Sequence, residues 1–270
     1  MSVTMADLLA DLGAETEVVA NMVAGLAEDD WNRATPAVGW AIRDQISHLA
    51  YFDVAAALAA RDPVRFREEA NMLFALGDNF PDEVARRYHD MAVDELLNWF
   101  RQARRSFIET FMPLDPRMRL PWYGPEMSAA SSVTARLMET WAHGQDIADS
   151  LDIRREPTSR LRNIAHLGVS TFAFAYMLRG LDVPAASVRV ELESPDGGMW
   201  TWGPEDAADR VMGSALDFCL VVTQRRHVAD TTLRVVGATA VQWMSIAQAF
   251  AGRPGPGRQP GQFPTQNGEP

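Results

Sequence analysis

The chain has 270 residues, of which 25 are basic, 36 acidic and five histidine, and its formal net charge is −11. All 25 basic residues are arginine, which excludes Schiff-base, pyridoxal-phosphate and P-loop chemistry because each of these needs a lysine. The acidic balance argues against binding to nucleic acid, and the single cysteine excludes an internal disulfide and zinc sites with two or more cysteines.

The first two thirds of the sequence predict a helical bundle. Apolar residues at helical spacing predict five long helices, at about 5–27, 41–60, 93–111, 129–151 and 158–180. One or two shorter helices are expected within 63–91, broken near Phe80, and Ser128 is a suitable N-cap for the fourth long helix. A bundle of these helices fits residues 1–182.

The last third predicts a small α+β domain at 183–252. Residues 188–202 alternate in the β manner around the turn PDGG and predict a hairpin. A helix at 205–223, a strand at 231–236 and a helix at 239–251 follow, which indicates a mostly antiparallel sheet. The tail at 253–270 is rich in proline, glycine and glutamine, and we expect it to be disordered.

One helix carries a carboxylate and an imidazole at the spacing of a metal site. Glu139, His143 and Asp146 are four and then three residues apart, so they share one helix face. Two ligands do not make a catalytic zinc site, which usually has three, and His48 on the second helix is the third candidate. From spacing alone, a surface Glu–His pair and a buried, hydrogen-bonded His48 remain the alternative.

The segment from Thr35 to Leu49, TPAVGWAIRDQISHL, fits the pattern T-P-x-x-G-W-x-x-R-D-x-x-x-H-L. It resembles the N-terminal signature of the mycothiol-dependent maleylpyruvate isomerase family, within the DinB-like metal-binding superfamily. The resemblance implies that His48, Glu139 and His143 are the metal ligands. It also implies a mainly α protein, in which a DinB-like four-helix-type bundle precedes a small α+β domain similar to sterol carrier proteins.

The resemblance also implies cofactors and partners. Zn²⁺ is the expected ion, with Ni²⁺, Fe²⁺ and Mn²⁺ as alternatives for a His₂Glu set, and mycothiol or another small thiol is a cosubstrate. The remaining partner is a small-molecule substrate, and a carboxylate is one candidate for it. We expect no nucleic-acid partner, and a monomer or homodimer. We also expect a cytoplasmic protein without a membrane span, because the chain has no secretory leader and no apolar run of about 20 residues.

Three further residues are candidates for catalysis. Asp146 orients a ligand, serves as an alternative ligand, or is an ordinary solvated acid. Arg225 and Arg226 can bind a substrate carboxylate with two parallel hydrogen bonds, or they form surface ion pairs.

Phe52 and Trp141 either line the pocket or belong to the plain core, and Asp53, five residues after His48, is expected on another helix face. Cys219 lies in an apolar stretch and is expected to be inert.

These observations support three functions. The first is a zinc enzyme that activates a thiol for isomerisation of a small electrophile or for transfer to it. The second keeps the metal as a Lewis acid and needs no thiol, and would isomerise, cyclise or hydrolyse a natural-product intermediate. The third is a non-catalytic protein that binds a metal or an apolar ligand.

Overall fold

A computed structural model describes residues 3–77 and 79–263. The chain forms two compact units, Met1–Arg155 and Glu156–Pro270, so the division lies earlier than the expected boundary at 182/183. The physical reason is that the helix Leu161–Ser170 packs against the helix Ala215–Val222 of the second unit. None of the helices in the described residues is long and apolar enough to cross a membrane.

The first unit is a helical bundle with one short hairpin. Its elements are α1 (Met5–Val23), α2 (Ile42–Arg61), α3 (Pro63–Phe74), α4 (Phe80–Arg87), α5 (Val93–Phe111), β1 (Arg119–Leu120), β2 (Met127–Ser128) and α6 (Ala129–Leu151), with a 3-10 helix at Glu28–Asn32. The predicted bounds of the first four long helices are correct to within about four residues, and the expected break at Phe80 separates α3 from α4. The single fifth helix expected at 158–180 is wrong, because the chain forms two shorter helices there, Leu161–Ser170 and Phe172–Met177.

Side chains in the sequence define where these helices begin. The Thr4 hydroxyl accepts a hydrogen bond from the Asp7 N–H at the start of α1, and Ser128 caps α6 as predicted. Helix α2 packs against α5 and α6, and α1 packs against α6. Apolar side chains from these helices, such as Ile46, Phe100 and Ile147, are fully buried between them. The packing places α2 beside α6, which are the two helices that carry the candidate ligands.

The second unit contains two short helices, a four-stranded sheet and two further helices. Its elements are α7 (Leu161–Ser170), α8 (Phe172–Met177), β3 (Val188–Glu193), β4 (Met199–Trp202), β5 (Asp209–Ser214), α9 (Ala215–Val222), β6 (Arg234–Val236) and α10 (Ala238–Ile246), with a 3-10 helix at Val228–Asp230. The small α+β character expected for this part of the chain is confirmed.

The sheet has the strand order β4-β3-β5-β6, with β3 and β5 parallel and the other two pairs antiparallel. The hairpin expected at 188–202 is formed by β3 and β4. The helix expected at 205–223 is wrong for its first half, because 209–214 pairs with both β3 and β6 as a central strand. Pairing on both sides overrides the local helical pattern of this segment.

The tail also makes contacts with the second unit. The Gly261 N–H donates to Asp230 Oδ1 at 2.7 Å, and the guanidinium of Arg226 lies 5.1 Å from the centre of the Phe263 ring. These contacts involve the first part of the tail for which the sequence predicts disorder; residues 264–270 lie outside the described residues.

Candidate metal centre

Helices α2 and α6 bring His48, Glu139 and His143 together. Glu139 Oε2 lies 3.0 Å from His143 Nε2 and 3.9 Å from His48 Nε2. One ligand atom from each residue lies within 4.8 Å of the others, and these three form the one such group found among the described residues. Their side chains are mostly buried, with exposed fractions of 13%, 21% and 10% for His48, Glu139 and His143. The three residues chosen from the sequence therefore share one site.

The segment before α2 folds into a turn that places an indole against both histidines. Thr35 N–H donates to the Trp40 carbonyl at 2.8 Å, and Gly39 adopts the left-handed conformation (φ 83°) that the turn requires. The Trp40 ring stacks on His143, with ring centres 5.8 Å apart, and lies 5.1 Å from His48. Its indole N–H is held by Asp82 Oδ1 at 2.8 Å.

A chain of hydrogen bonds assigns the tautomer of His143. The Thr35 hydroxyl donates to the Trp40 carbonyl at 2.9 Å, so it accepts from Gln45 Nε2 at 2.7 Å. This fixes the Gln45 amide with Oε1 toward His143 Nδ1, which it contacts. Because a carbonyl oxygen only accepts, Nδ1 carries the proton and the lone pair lies on Nε2. His143 Nε2 is thus prepared as a ligand atom.

The arrangement suits a cation between its acceptors. His143 Nε2 and Glu139 Oε2 are both acceptors in this tautomer and lie 3.0 Å apart, so a divalent ion bound by both would offset their mutual repulsion. Burial of the Glu139 carboxyl acts to raise its pKa, but the interactions of the carboxylate with the His143 and His48 imidazoles outweigh burial and hold the pKa well below the usual value. Two imidazoles and one carboxylate are ligands that catalytic zinc sites use, so the residues present fit a divalent ion.

His48 packs against neighbouring aromatic rings. Its Nδ1 is buried and has no hydrogen-bond partner among the described residues. The ring lies 4.5 Å from the centre of Phe52 and 4.4 Å from that of His143. Burial lowers the pKa of His48 to about 3, assisted by the charge of His143. The imidazole therefore stays unprotonated, and able to bind a metal, at neutral pH.

Phe52 links the centre to a larger group of aromatic rings. Its ring contacts those of Phe80, Trp122 and Tyr123, with centres 5.5–6.4 Å apart. Trp141, the other aromatic candidate, is buried under the guanidinium of Arg155, 5.6 Å from its ring centre. Phe52 thus forms a wall of the centre, whereas Trp141 makes a separate contact.

The three catalytic candidates have different locations. Asp146 lies on α6 one turn beyond His143 and is fully buried, which excludes an ordinary solvated acid, but it is not a member of the ligand group. Arg225 and Arg226 follow α9 in the second unit and are half-buried. Arg225 Nη1 donates to the Thr223 carbonyl at 2.7 Å, and Arg226 Nη1 donates to the Arg225 carbonyl at 2.7 Å. Catalytic roles for all three stay predictions.

Sequence reasoning did not single out Gln45, which orients His143. Gln45 is three residues before His48 and has no exposed surface. A long polar side chain on the buried face of an apolar helix was the available signal, because such a group needs a partner inside the protein.

Comparisons with known proteins identify the family of this chain. The family model described as "Mycothiol maleylpyruvate isomerase N-terminal domain" matches residues 12–148, half of the chain, and one described as "Wyosine base formation" matches 184–236. Two uncharacterized proteins of Mycobacterium tuberculosis, from strains CDC 1551 / Oshkosh and ATCC 25618 / H37Rv, are each 46% identical over 250 residues, covering 93% of this chain and 97% of theirs.

Two solved structures share the fold. They are the mycothiol-dependent maleylpyruvate isomerase and a histidine-to-alanine mutant of it, with TM-scores of 0.55 and 0.56 at 14% identity. Each alignment covers 84% of this chain and 93% of the other. The match of the family model over the residues that build the metal centre shows that this chain belongs to the mycothiol maleylpyruvate isomerase N-terminal domain family.

Proposed function

We propose that the protein is a divalent-metal-dependent enzyme, with Zn²⁺ as the first candidate, that uses a small thiol such as mycothiol to isomerise a small electrophile or to modify it. The observation that carries the proposal is the convergence of His48 Nε2, Glu139 Oε2 and His143 Nε2 on one point. Membership of a family named for a mycothiol-dependent isomerase supports the choice of thiol and reaction.

The chain's own residues hold the ion and prepare the site. His48, Glu139 and His143 would bind it, Gln45 keeps the Nε2 lone pair of His143 available, and Trp40 packs against both imidazoles. A divalent ion bound there lowers the pKa of a thiol and favours the thiolate at neutral pH.

The chain offers neither a lysine amine nor an exposed thiol of its own as a competing nucleophile. It contains no lysine, and Cys219 is buried in the second unit, where burial raises the pKa of the thiol. A thiolate is the stronger nucleophile of a thiol's two forms, so an external thiol brought to the metal centre supplies reactivity that the side chains lack.

The proposed reaction begins with addition of the thiolate to an activated double bond. The electrons of that bond move onto the activating carbonyl, so the former carbon–carbon double bond becomes single and can rotate. Elimination of the thiolate then restores the double bond and completes a cis–trans isomerisation. Protonation of the adduct without elimination gives a thiol transfer. Arg225 or Arg226 would bind a substrate carboxylate, and Asp146 would orient a ligand or move a proton; these three roles are part of the proposal.

The test is substitution of a ligand. We expect His48→Ala to lose the bound metal, measured by elemental analysis, and to lose turnover of maleylpyruvate with mycothiol. His89→Ala is the matched control because the His89 side chain is 52% exposed and lies outside the ligand group. Metal retained at wild-type stoichiometry by His48→Ala would overturn the ligand assignment. Undiminished turnover after removal of every small thiol would overturn the role of the thiol.

A further inference from the structure

We propose that a buried ion cluster, formed by Asp53, Arg104 and Arg136, positions the two ligand-bearing helices and so maintains the geometry of the metal centre. The inference rests on the proposed function, because it assigns these residues a role toward the same ion. None of the three is a ligand, and the sequence pattern predicts Asp53 on a helix face away from His48.

The cluster is one carboxylate held between two guanidiniums. Asp53 Oδ1 accepts from Arg136 Nε at 2.9 Å, and Asp53 Oδ2 lies 3.0 Å from Arg104 Nε. Asp53 has no exposed surface, and each arginine is 3% exposed. Water therefore does not screen these charges, and their mutual attraction is much stronger than that of a surface pair.

The remaining bonds of the cluster end beside the metal ligands. Arg136 Nη2 donates to the carbonyl of Leu49, the residue after His48, at 3.1 Å. Arg104 Nη2 donates at 2.8 Å to the hydroxyl of Thr140, the residue after Glu139, and that hydroxyl donates to the Arg136 carbonyl at 2.7 Å. Through these bonds α5 fixes α6, and α6 fixes α2, within one residue of a ligand on each helix.

The charges of the cluster argue that it does more than stabilise the fold. One carboxylate and two guanidiniums carry a net charge of +1, and Arg104 Nη1 is buried with no hydrogen-bond partner among the described residues. Burying such groups has a large desolvation cost, and well-packed apolar side chains commonly give equal or greater stability. Apolar packing does not supply the directional bonds that fix two helices in register, which three converging ligands require.

The same unit contains a buried ion pair that serves as a control. Arg155 pairs with Glu15, which is 1% exposed, and Arg155 Nη1 donates to the Trp141 carbonyl at 2.8 Å. This pair joins α1 to α6 and to the segment after it, whereas the Asp53 cluster joins α6 to α2. A substitution there tests the effect of breaking a buried ion pair without removing the bonds that connect the two ligand helices.

The experiment compares Asp53→Asn with Glu15→Gln in otherwise full-length protein. We expect both to lower the stability of the metal-free protein, measured by chemical denaturation. Only Asp53→Asn should weaken Zn²⁺ binding, by about 10- to 100-fold in competition with a chelator, and alter the visible spectrum of the Co²⁺-substituted protein. Asp53→Asn also removes a negative charge from the cluster. The resulting increase in net positive charge repels a divalent cation and so also lowers the affinity for Zn²⁺.

Arg136→Lys provides a second variant in case Asp53→Asn does not fold. Lysine keeps the charge but lacks the planar fork that reaches Asp53 and the Leu49 carbonyl together, so we expect a smaller loss of Zn²⁺ affinity, about three- to tenfold. Wild-type affinity in every folded variant of the cluster, or an equal loss in Glu15→Gln, would overturn the inference. A wild-type protein that binds no divalent metal would instead overturn the proposed function.

Discussion

At the scale of single residues, the geometry of the candidate metal centre depends on polar groups outside the three candidate ligands. Gln45 accepts from His143 Nδ1 and is itself fixed by Thr35, whose hydroxyl is committed to the Trp40 carbonyl. Each donor in this chain has one available acceptor, so the orientation of the imidazole is determined before any ion binds. Such preorganisation typically contributes 10- to 100-fold to metal affinity.

Gln45→Leu tests this chain directly. The leucine fills similar volume but leaves the Nδ1–H of His143 buried without an acceptor, which costs about 1–3 kcal/mol. We expect the metal-free variant to lose stability by about that amount and to bind Zn²⁺ at least about 10-fold more weakly, as measured by chelator competition.

Gln45→Glu and Gln145→Leu are the matched controls. A carboxylate at position 45 still accepts from Nδ1, so this variant should stay within about threefold of the wild-type affinity. Gln145 is buried like Gln45 but lies on α6. Its amide donates to Asp149 at 2.8 Å and, among the described residues, makes no hydrogen bond to a candidate ligand. If Gln45→Leu bound the ion as tightly as Gln145→Leu, Gln45 would have no role in orienting His143.

The sequence predicts the grouping of the three candidate ligands better than it predicts their supports. Glu139 and His143 are one helical turn apart, and the resemblance carried by the segment containing His48 implies the third candidate, which the structure places beside them. Gln45 and Asp53 carry no comparable spacing signal, because their partners are 98 and 83 residues away in the chain. Such contacts depend on which helices are neighbours, and this follows from packing of the whole bundle.

At the scale of elements, local pattern predicts helices well and the central strand poorly. Helices α5 and α6 are found at the predicted bounds, because their apolar periodicity and their flanking residues agree. Strand β5 lies where the local pattern predicts the first half of a helix. Its residues 209–214 pair with β3 on one side and β6 on the other, and neither pairing leaves a local signature in the segment itself.

Gly168 permits the close approach of α7 to α9. A Cβ at this position would lie 2.7 Å from Val222 Cγ2, closer than real carbon atoms approach. We expect Gly168→Ala to destabilise the second unit by about 1–3 kcal/mol through overpacking, measured by chemical denaturation with near-UV circular dichroism.

Val222→Ala should relieve the clash. The double variant is expected to be more stable than the sum of the two single changes predicts, by at least about 0.5 kcal/mol. Gly255→Ala is the control, since a Cβ at that position would lie 4.0 Å from its nearest neighbouring atom. If the two substitutions changed the free energy of unfolding in a strictly additive way, the helices would be adjusting their separation, and the clash with Val222 would not be the cause of the destabilisation.

At the scale of the whole molecule, the first unit buries several charged groups. The ligand group, the Asp53 cluster and the Glu15–Arg155 pair together connect α1, α2, α5 and α6. Within the ligand group, the folded protein lowers the pKa of His48 and that of Glu139, and both residues return to their ordinary pKa values when the chain unfolds. The stability of the metal-free protein should therefore depend on pH well above the isoelectric point of about 4.9.

His48 determines the sign of that dependence between pH 6.5 and 5. Its folded pKa is lowered to about 3, by burial and by the charges of His143 and Arg136, against the opposing effect of Glu139. Below pH 6.5 the unfolded chain takes up a proton at His48 that the folded chain does not, so stability falls as pH falls, by up to about 1.4 kcal/mol per pH unit. Glutamate in the unfolded chain is still largely ionised in this window, so the loss of the Glu139 contribution begins at lower pH.

We expect His48→Gln to flatten this slope. Chemical denaturation of both proteins in chelator at pH 5.0, 5.5, 6.0 and 6.5 measures the slope. The difference between the two proteins isolates the contribution of His48, because the other four histidines are present in both. Equal slopes in the two proteins would mean that the folded state also accepts a proton at His48. The imidazole would then be solvated rather than sealed between Trp40 and Phe52, and competition between protons and the metal ion would extend up to neutral pH.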